Sequence, residues 1–207
     1  MNWAEALLHS GNPAPALAII APLPTFFAER QDPAYEGNAF WLISWAQRLL
    51  GDIPAAGAAI DSALHIAEAS SNRMWEAFWL IEAARVHLAA GDPAEAMKCC
   101  RMAASLQRQI GDPSREATAL DCAGESLLAG GNPGDAAAFH REAARMHQRL
   151  GDAWQEATAL VHLADCERAL GDDDASLGHL RQALTRIEPF TDDQAAQLRQ
   201  TLEMRLA

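Results

Sequence analysis

The sequence has few of the residues from which β-sheets are usually built. Valine, isoleucine and threonine together supply only 17 of its 207 residues, whereas alanine alone supplies 45. β-Branched side chains favour strands, and alanine is the strongest intrinsic helix former. The composition therefore excludes a large β-sheet and predicts an all-α fold.

The chain also lacks the features of membrane proteins and of disulfide-stabilised proteins. No uninterrupted apolar run approaches the roughly 18–20 residues that a membrane span needs, and the N-terminus has no signal-peptide pattern. The four cysteines form neither a Cys-x-x-Cys pair nor a zinc-ligand spacing, so free thiols in a reducing compartment are expected. We therefore predict a cytoplasmic protein that makes no membrane contact.

Basic residues are scarce. The chain has 16 Lys and Arg against 28 Asp and Glu, which gives a net charge of −12, and only Lys98 is a lysine. Surfaces that bind nucleic acid normally carry a basic patch. The charge balance therefore predicts no direct binding of nucleic acid.

An internal period of twenty residues divides the chain. The residues at this period are all Asp or Asn: Asn12, Asp32, Asp52, Asn72, Asp92, Asp112, Asn132, Asp152, Asp172 and Asp192. Glycine usually precedes the marker and proline often follows it, as in Gly111-Asp112-Pro113. Glycine closes a helix end, Asp or Asn caps the next helix, and proline suits its first position. The period thus predicts a row of antiparallel helices of about sixteen residues joined by very short turns.

Alternate helices differ, so the complete repeat has forty residues. Glutamate recurs near the start of one helix type, called A here, at Glu36, Glu76, Glu116 and Glu156. Small residues recur deeper in helix A at Ser44, Ala84, Gly124 and Ala164. They recur in the other type, helix B, at Ala56, Ala96, Ala136 and Ser176, and again at Ala63, Ala103, Ala143 and Ala183. Small side chains at fixed points allow neighbouring helices to approach closely.

The repeat resembles the tetratricopeptide repeat (TPR) family. Leu160, Leu163 and Ala164 in helix A follow the family pattern, as do Ser176, Leu180 and Ala183 in helix B. The long unit and its Leu-Gly-Asp punctuation are similar to the C-terminal repeat regions of bacterial SARP/AfsR-like and STAND-type transcriptional regulators. The resemblance implies an α-solenoid of antiparallel helix pairs, a right-handed superhelix of about ten to eleven helices.

The repeat register predicts a single repeat domain over residues 1–207. Its parts are an irregular partial repeat (1–31), four full repeats (32–71, 72–111, 112–151 and 152–191) and a C-terminal capping helix (192–207). Pro22 and Pro24 interrupt the helix that begins at Pro13, so this helix should end near Ala21, before a short turn. The first helix has half the usual length, which indicates either a piece of a longer protein or an atypical cap.

The resemblance implies that the A helices line a concave groove. Its first row is Asn38, Phe78, Thr118 and Thr158, and its second is Trp41, Ile81, Asp121 and Val161. Its third row is Trp45, Arg85, Glu125 and Asp165, and its fourth is Arg48, Leu88, Leu128 and Arg168. The N-terminal half of this groove is aromatic and apolar, whereas its C-terminal half is acidic. Trp41 and Trp45 share one helix face, so either they anchor a ligand or they pack in the core. Trp75 and Trp79 lie nearby, with the same two alternatives.

The groove predicts that the chain recognises a protein or a peptide without catalysing a reaction. One candidate partner is another domain of the same parent protein, and a homo-oligomer is left open. The resemblance favours the sensory or interaction region of a bacterial transcriptional regulator. Two alternatives are a receptor for a small signalling peptide or metabolite in the Trp-lined groove, and a stand-alone scaffold. A clamp for a C-terminal carboxylate is excluded, because only Asn38 would fit the necessary lysine and asparagine set.

No residue set favours an enzyme. His162 and Cys166 share a helix face, but a core cysteine beside a surface histidine is the simpler interpretation. His140 and His147 are seven residues apart, too far for a pair of metal ligands on one helix, and are expected on a solvated face. The early-helix glutamates are explained by the positive end of the helix dipole. We therefore predict no catalytic residue, no cofactor and no metal.

Overall fold

All 207 residues are described in a computed structural model, and its regular secondary structure is entirely helical. The helices are α1 (Asn2–His9), α2 (Pro13–Ile20), α3 (Leu23–Ala28), α4 (Pro33–Leu49), α5 (Ile53–Ala69), α6 (Arg73–Ala89), α7 (Pro93–Ile110), α8 (Pro113–Ala129), α9 (Pro133–Leu150), α10 (Ala153–Ala169), α11 (Asp173–Ile187) and α12 (Asp193–Leu206). The predicted all-α class is confirmed, with each full repeat holding one A helix and one B helix. None of the twelve helices combines the length and the apolar character needed to cross a membrane.

The predicted short turns between helices, with a glycine at the helix end and a capping Asp or Asn, are confirmed. The glycines of the seven Gly-Asp/Asn turns all have left-handed φ, between +72° and +84°. Most of the Asp and Asn residues at the twenty-residue period cap the helix that follows them. At Asp112, for example, the carboxylate accepts a hydrogen bond of 3.0 Å from the backbone N–H of Arg115. Gln31 and Ser71 take the same left-handed conformation, at φ 54° and 50°, at two turns that have no glycine.

The N-terminal repeat is interrupted where the prolines predict. Helix α2 ends at Ile20, one residue before the expected end. The following segment forms the six-residue helix α3 rather than a turn. The reason is that Pro22 and Pro24 occupy the start of α3, where a missing N–H and a fixed φ are compatible with a helix. This additional short helix raises the number of helices to twelve.

The helices form two compact units, unit 1 (Met1–Leu106) and unit 2 (Gln107–Ala207). The core of unit 1 includes Ile60, Trp79 and Leu42, and that of unit 2 includes Leu160 and Leu180. The boundary falls inside α7, within a predicted repeat. The single repeat domain over residues 1–207 stays a prediction.

The small residues of the repeat lie in the cores of both units. The twelve that the repeat predicts as contact positions are all buried, and the eleven that are alanine or serine have 0–4% of their surface exposed. Ala63 and Ala143, at equivalent positions of units 1 and 2, are both completely buried. The abundance of alanine therefore reflects close helix packing as well as helix preference.

Candidate binding surface and buried polar cluster

The predicted groove residues all lie on A helices. Helix α4 carries Asn38, Trp41, Trp45 and Arg48; α6 carries Phe78, Ile81 and Arg85; α8 carries Thr118, Asp121 and Glu125; and α10 carries Thr158, Val161, Asp165 and Arg168. Ile81 and Asp121 are buried, Arg168 is exposed, and the rest are half-buried. A continuous groove formed by these residues stays a prediction.

Three half-buried aromatic residues of this set meet in unit 1. The ring centroids of Trp41 and Phe78 are 4.8 Å apart, and those of Trp41 and Trp45 are 5.8 Å apart. The exposed His9 of α1 packs edge-on against Trp45, with 4.8 Å between the ring centroids. Trp41, Trp45 and Phe78 form what we call the aromatic cluster. The cluster contacts the core on its inner side and remains partly accessible.

The other two central tryptophans differ from each other. Trp79 is completely buried, so it is a core residue and not a ligand anchor. Trp75 is half-buried, and its ring centroid lies 5.7 Å from that of Trp79. Trp79 fits because Gly37 faces it: a Cβ on Gly37 would lie 2.1 Å from the indole. The sequence signal for the contact between Gly37 and Trp79 is the repeat register. In the next two repeats alanine occupies both equivalent positions: 117 and 157 for Gly37, and 119 and 159 for Trp79.

Arg48 of the predicted groove is held by an ion pair that the sequence analysis missed. Its Nε and Nη2 donate to the two carboxylate oxygens of Glu82, at 2.7 and 3.1 Å. The Glu82 side chain is only 2% exposed, and that of Arg48 is 17% exposed. Glu82 occupies the register of Leu42, a core position, and this polar replacement was the available signal.

A second polar cluster lies in unit 2, where α8, α9 and α10 meet. Nδ1 of His140 is 2.6 Å from Oδ1 of Asp121, and Nδ1 of His162 is 2.9 Å from Oδ2 of the same carboxylate. The two imidazole centroids are 5.2 Å apart. We call Asp121, His140 and His162 the histidine–aspartate cluster.

The cluster is largely shielded from solvent. The His140 side chain is fully buried, its Nε2 has no hydrogen-bond partner, and the His162 side chain is 27% exposed. Burial alone would lower the pKa of His162, but the Asp121 carboxylate, with smaller effects from Glu125 and Asp165, raises it to about 9. Burial alone would raise the pKa of Asp121, but the charge of His162 and the two histidine hydrogen bonds hold it well below its usual range. The pair is therefore a carboxylate with a protonated His162 near neutral pH.

These positions correct two predictions. The solvated face expected for His140 and His147 is wrong, because both side chains are buried in the B-helix core. The acidic surface expected at Asp121 is also wrong, because both of its oxygens face histidines. Asp165 does stay half-buried, and it accepts hydrogen bonds from Arg168 and Arg205 at 2.7 and 2.6 Å.

The arrangement does not favour a nucleophile at Cys166. Its thiol is buried, and burial together with neighbouring carboxylates raises its pKa to about 11. A thiol with so high a pKa is protonated at neutral pH, and the thiolate is the nucleophilic form. His162, the base once considered for it, is instead bonded to Asp121. The predicted core location of Cys166 is confirmed.

Comparison with known proteins finds similarity only among solved structures. No family model matches the chain, and a search of curated proteins finds no match either. A STAND protein with a TPR sensor from Pyrococcus horikoshii aligns with 100% of this chain at TM-score 0.73 and 16% identity. A Rap protein complexed with competence and sporulation factor aligns with 96% at TM-score 0.72 and 16% identity.

A shorter match covers a single TPR domain. The TPR domain of Arabidopsis FLU aligns with 56% of this chain and 98% of its own length, at TM-score 0.53 and 22% identity. In contrast, the chain spans only 31% of the STAND protein and 57% of the Rap protein. At these identities the likeness concerns the fold, and it confirms the predicted resemblance: the chain has a tetratricopeptide-repeat-like fold.

Proposed function

We propose that the chain is a non-catalytic docking module that binds a protein or peptide segment on the aromatic cluster of unit 1. The observation that carries this proposal is the meeting of Trp41, Trp45 and Phe78 at a partly accessible surface shared by α4 and α6. Tandem helical repeats of this fold class typically expose a binding surface, and aromatic side chains dominate binding energy where they are buried by a partner.

The packing of the cluster favours binding. Because the rings already contact each other and the core, they lose little conformational freedom when a partner covers them. The apolar area that remains accessible would then contribute about 25 cal/mol per Å² buried. Asn38 lies one turn from Trp41 on α4, and Arg85 lies two turns from Phe78 on α6, so polar groups flank the apolar centre. This combination suits a segment with an apolar anchor and polar backbone groups.

The likeness to a STAND protein with a TPR sensor and to a Rap protein supports a more specific proposal. In it, the chain is the sensory or interaction region of a cytoplasmic bacterial transcriptional regulator. Receptor and scaffold functions use the same surface and differ in what occupies it. We propose no catalytic residue, since the cysteine considered for catalysis, Cys166, is a buried thiol whose pKa is raised to about 11.

The experiment is affinity selection of a random peptide library on the full chain. Selected peptides should bind wild-type protein at least tenfold more tightly than the Trp41→Ala variant. Trp3→Ala is the matched control, because Trp3 is 72% exposed and lies outside the aromatic cluster. Peptides that bind Trp41→Ala as tightly as wild type, or the absence of any selected peptide, would contradict the proposal.

Two further measurements make the result interpretable. Thermal melts of Trp41→Ala show whether the variant is folded, and Phe78→Leu gives a milder change at the same cluster. A thermal-shift screen with small metabolites separates the receptor alternative, because a ligand at 100 times its Kd stabilises a protein by about 2.7 kcal/mol. If a metabolite stabilises wild-type protein but not the Trp41→Ala variant, the ligand of the aromatic cluster is a small molecule and not a peptide.

A further inference from the structure

The histidine–aspartate cluster lies outside the proposed docking surface, and the repeat fold does not require it. At the register of Asp121, the other repeats have Trp41, Ile81 and Val161. At the register of His140 they have Ile60, Cys100 and Leu180. Three ligand-type side chains therefore converge at positions that the other repeats fill mostly with apolar residues.

The space for this cluster is specific to one repeat. Gly124 of α8 faces the His140 imidazole, and a Cβ there would lie 2.5 Å from Cε1. The equivalent residues of the other repeats are Ser44, Ala84 and Ala164, each of which has a Cβ. The third full repeat thus has its smallest residue where the buried imidazole needs room.

The geometry is that of three convergent ligands on a rigid frame. One ligand atom from each of Asp121, His140 and His162 lies within 4.8 Å of the other two. Zinc binds histidine nitrogen and carboxylate oxygen at about 2.0–2.1 Å, so tetrahedral ligand atoms lie about 3.3 Å apart. The Asp121 contacts of 2.6 and 2.9 Å would need to open by well under 1 Å to admit an ion. Each ligand comes from a different helix of at least 17 residues, which fixes its backbone.

We propose that unit 2 binds one divalent transition-metal ion of the Zn²⁺ class through the Asp121 carboxylate and Nδ1 of His140 and His162. Two imidazoles with one carboxylate select this class over Mg²⁺ and Ca²⁺, which prefer all-oxygen sites. The His162 side chain is 27% exposed, whereas His140 is fully buried, so we place the fourth ligand, water or a partner group, on the His162 side of the ion. The bound ion links α8, α9 and α10.

Metal binding displaces protons and replaces both contacts between Asp121 and the histidines. Asp121 holds both Nδ1 atoms when no ion is bound, and the ion takes over that role between the three ligands. Both Nδ1 atoms must be free of a proton to ligate, so uptake of the ion releases protons. The alternative is a hydrogen-bonded cluster that never binds metal, and this is the outcome that the experiment must separate.

The experiment uses the tag-free full chain, stripped with EDTA and then freed of chelator. Zn²⁺ titration by calorimetry should give one site per chain, whereas Mg²⁺ should give no binding. Asp121→Asn keeps the side-chain shape and His162→Gln changes the most exposed ligand; each should weaken Zn²⁺ binding at least about 100-fold. His65→Gln, which removes an exposed histidine of α5 in unit 1, should leave the affinity within twofold.

A second measurement keeps the proposal testable if a variant fails to fold. Co²⁺ added to wild-type protein should give the visible d–d absorption of a four- or five-coordinate ion without a thiolate charge-transfer band, since no cysteine is a ligand. Wild-type protein that takes up neither ion overturns the proposal. So does Zn²⁺ affinity that Asp121→Asn and His162→Gln leave within twofold of wild type, or a thiolate band.

Discussion

Gly124 of α8 lies directly against the imidazole of His140 on α9, so that a Cβ on Gly124 would come within 2.5 Å of Cε1 and 2.6 Å of Nε2. The same relationship recurs in unit 1 between Gly37 and the indole of Trp79. In both cases a glycine stands opposite a ring that no other full repeat has at that position. Each glycine, which has no Cβ, leaves room for a large buried ring.

Replacing Gly124 by alanine should therefore destabilise the protein. Alanine is the better helix former by about 1 kcal/mol, but the clash with His140 should outweigh this and cost about 1–3 kcal/mol of unfolding free energy. Urea denaturation measures the change. Gly178→Ala is the matched control, since that glycine also lies within a helix but has open space around its Cβ position.

The control variant and a double variant should not show the loss of unfolding free energy expected for Gly124→Ala. Gly178→Ala should stabilise by up to about 1 kcal/mol. In a His140→Ala background, Gly124→Ala should also lose its penalty, because the ring that it meets is gone. Stabilisation by Gly124→Ala in the wild-type background would refute the packing relationship.

Arg48→Ala should be strongly destabilising because it leaves the buried carboxylate of Glu82 without its ion-pair partner. Removing one member of a buried ion pair costs about 3 kcal/mol or more, whereas exposed pairs contribute little. Arg73→Ala removes an exposed arginine paired with Glu76 and should change the unfolding free energy by less than about 0.5 kcal/mol. Chemical denaturation of both variants gives the comparison.

The repeat register also suggests how to replace this ion pair. Leu42 and Leu88 occupy the positions of Glu82 and Arg48 in neighbouring repeats. The double variant Arg48→Leu/Glu82→Leu should therefore be much closer to wild type in stability than Arg48→Ala. A double variant as unstable as Arg48→Ala would mean that packing, and not the unpaired charge, explains the loss.

Ser71→Gly should stabilise the turn between α5 and α6. Ser71 has a left-handed φ of 50°, a conformation that L-residues adopt at an energetic cost and glycine adopts freely. We expect a gain of about 0.5–1 kcal/mol in thermal or urea unfolding. The reciprocal change Gly91→Ser, at an equivalent turn with φ 78°, should destabilise by a similar amount. If both variants changed the unfolding free energy in the same direction, the left-handed backbone at Ser71 would not be strained.

The stability of the metal-free protein should depend on His162 in a defined pH range. Its pKa is raised from 6.5 to about 9, so its stabilising contribution is complete below about pH 6.5 and is lost as the pH rises through 9. The pKa of Asp121 is lowered, so its contribution is present above about pH 4 and is lost on acidification. The free-energy difference between wild type and His162→Gln should therefore be largest at pH 5–6.5 and shrink towards pH 10.

The difference between the two proteins isolates this effect, with EDTA present in every sample. His147, whose pKa burial lowers, titrates in both proteins and cancels. The pKa shift sets an upper bound of about 3 kcal/mol on the change. A difference that is constant from pH 6 to pH 10 would show that His162 is not held charged by Asp121.

Much of the fold could be predicted from the sequence because its signals are local. The Gly-Asp/Asn-Pro turns act within a few residues, so the start of α8 at Pro113 and the left-handed Gly111 follow from the sequence. The small contact residues recur at a constant interval, and Ala63 and Ala143 are buried as that register implies. The helix α3 was missed because two prolines were interpreted as breakers, although they also suit a helix start.

The buried polar residues could not be found from polarity alone. His140 was expected on a solvated face, since its seven-residue separation from His147 does not suit a metal pair on one helix, yet it occupies the register of Ile60 and Leu180 and is fully buried. Its partners Asp121 and His162 lie on other helices, 19 and 22 residues away, so helix spacing did not bring them together. The register contained the signal, but the contacts depend on tertiary packing.

The aromatic docking surface can be tested by observing its indole groups directly. In the two-dimensional ¹H–¹⁵N spectrum of labelled protein, a selected peptide should shift the Nε1–H resonances of Trp41 and Trp45 saturably, at one peptide per chain. The resonances of Trp79, which is buried, and Trp154, which packs against Phe190 in unit 2, should stay in place. Shifts confined to Trp154, with Trp41 and Trp45 unchanged at saturation, would contradict the proposed function.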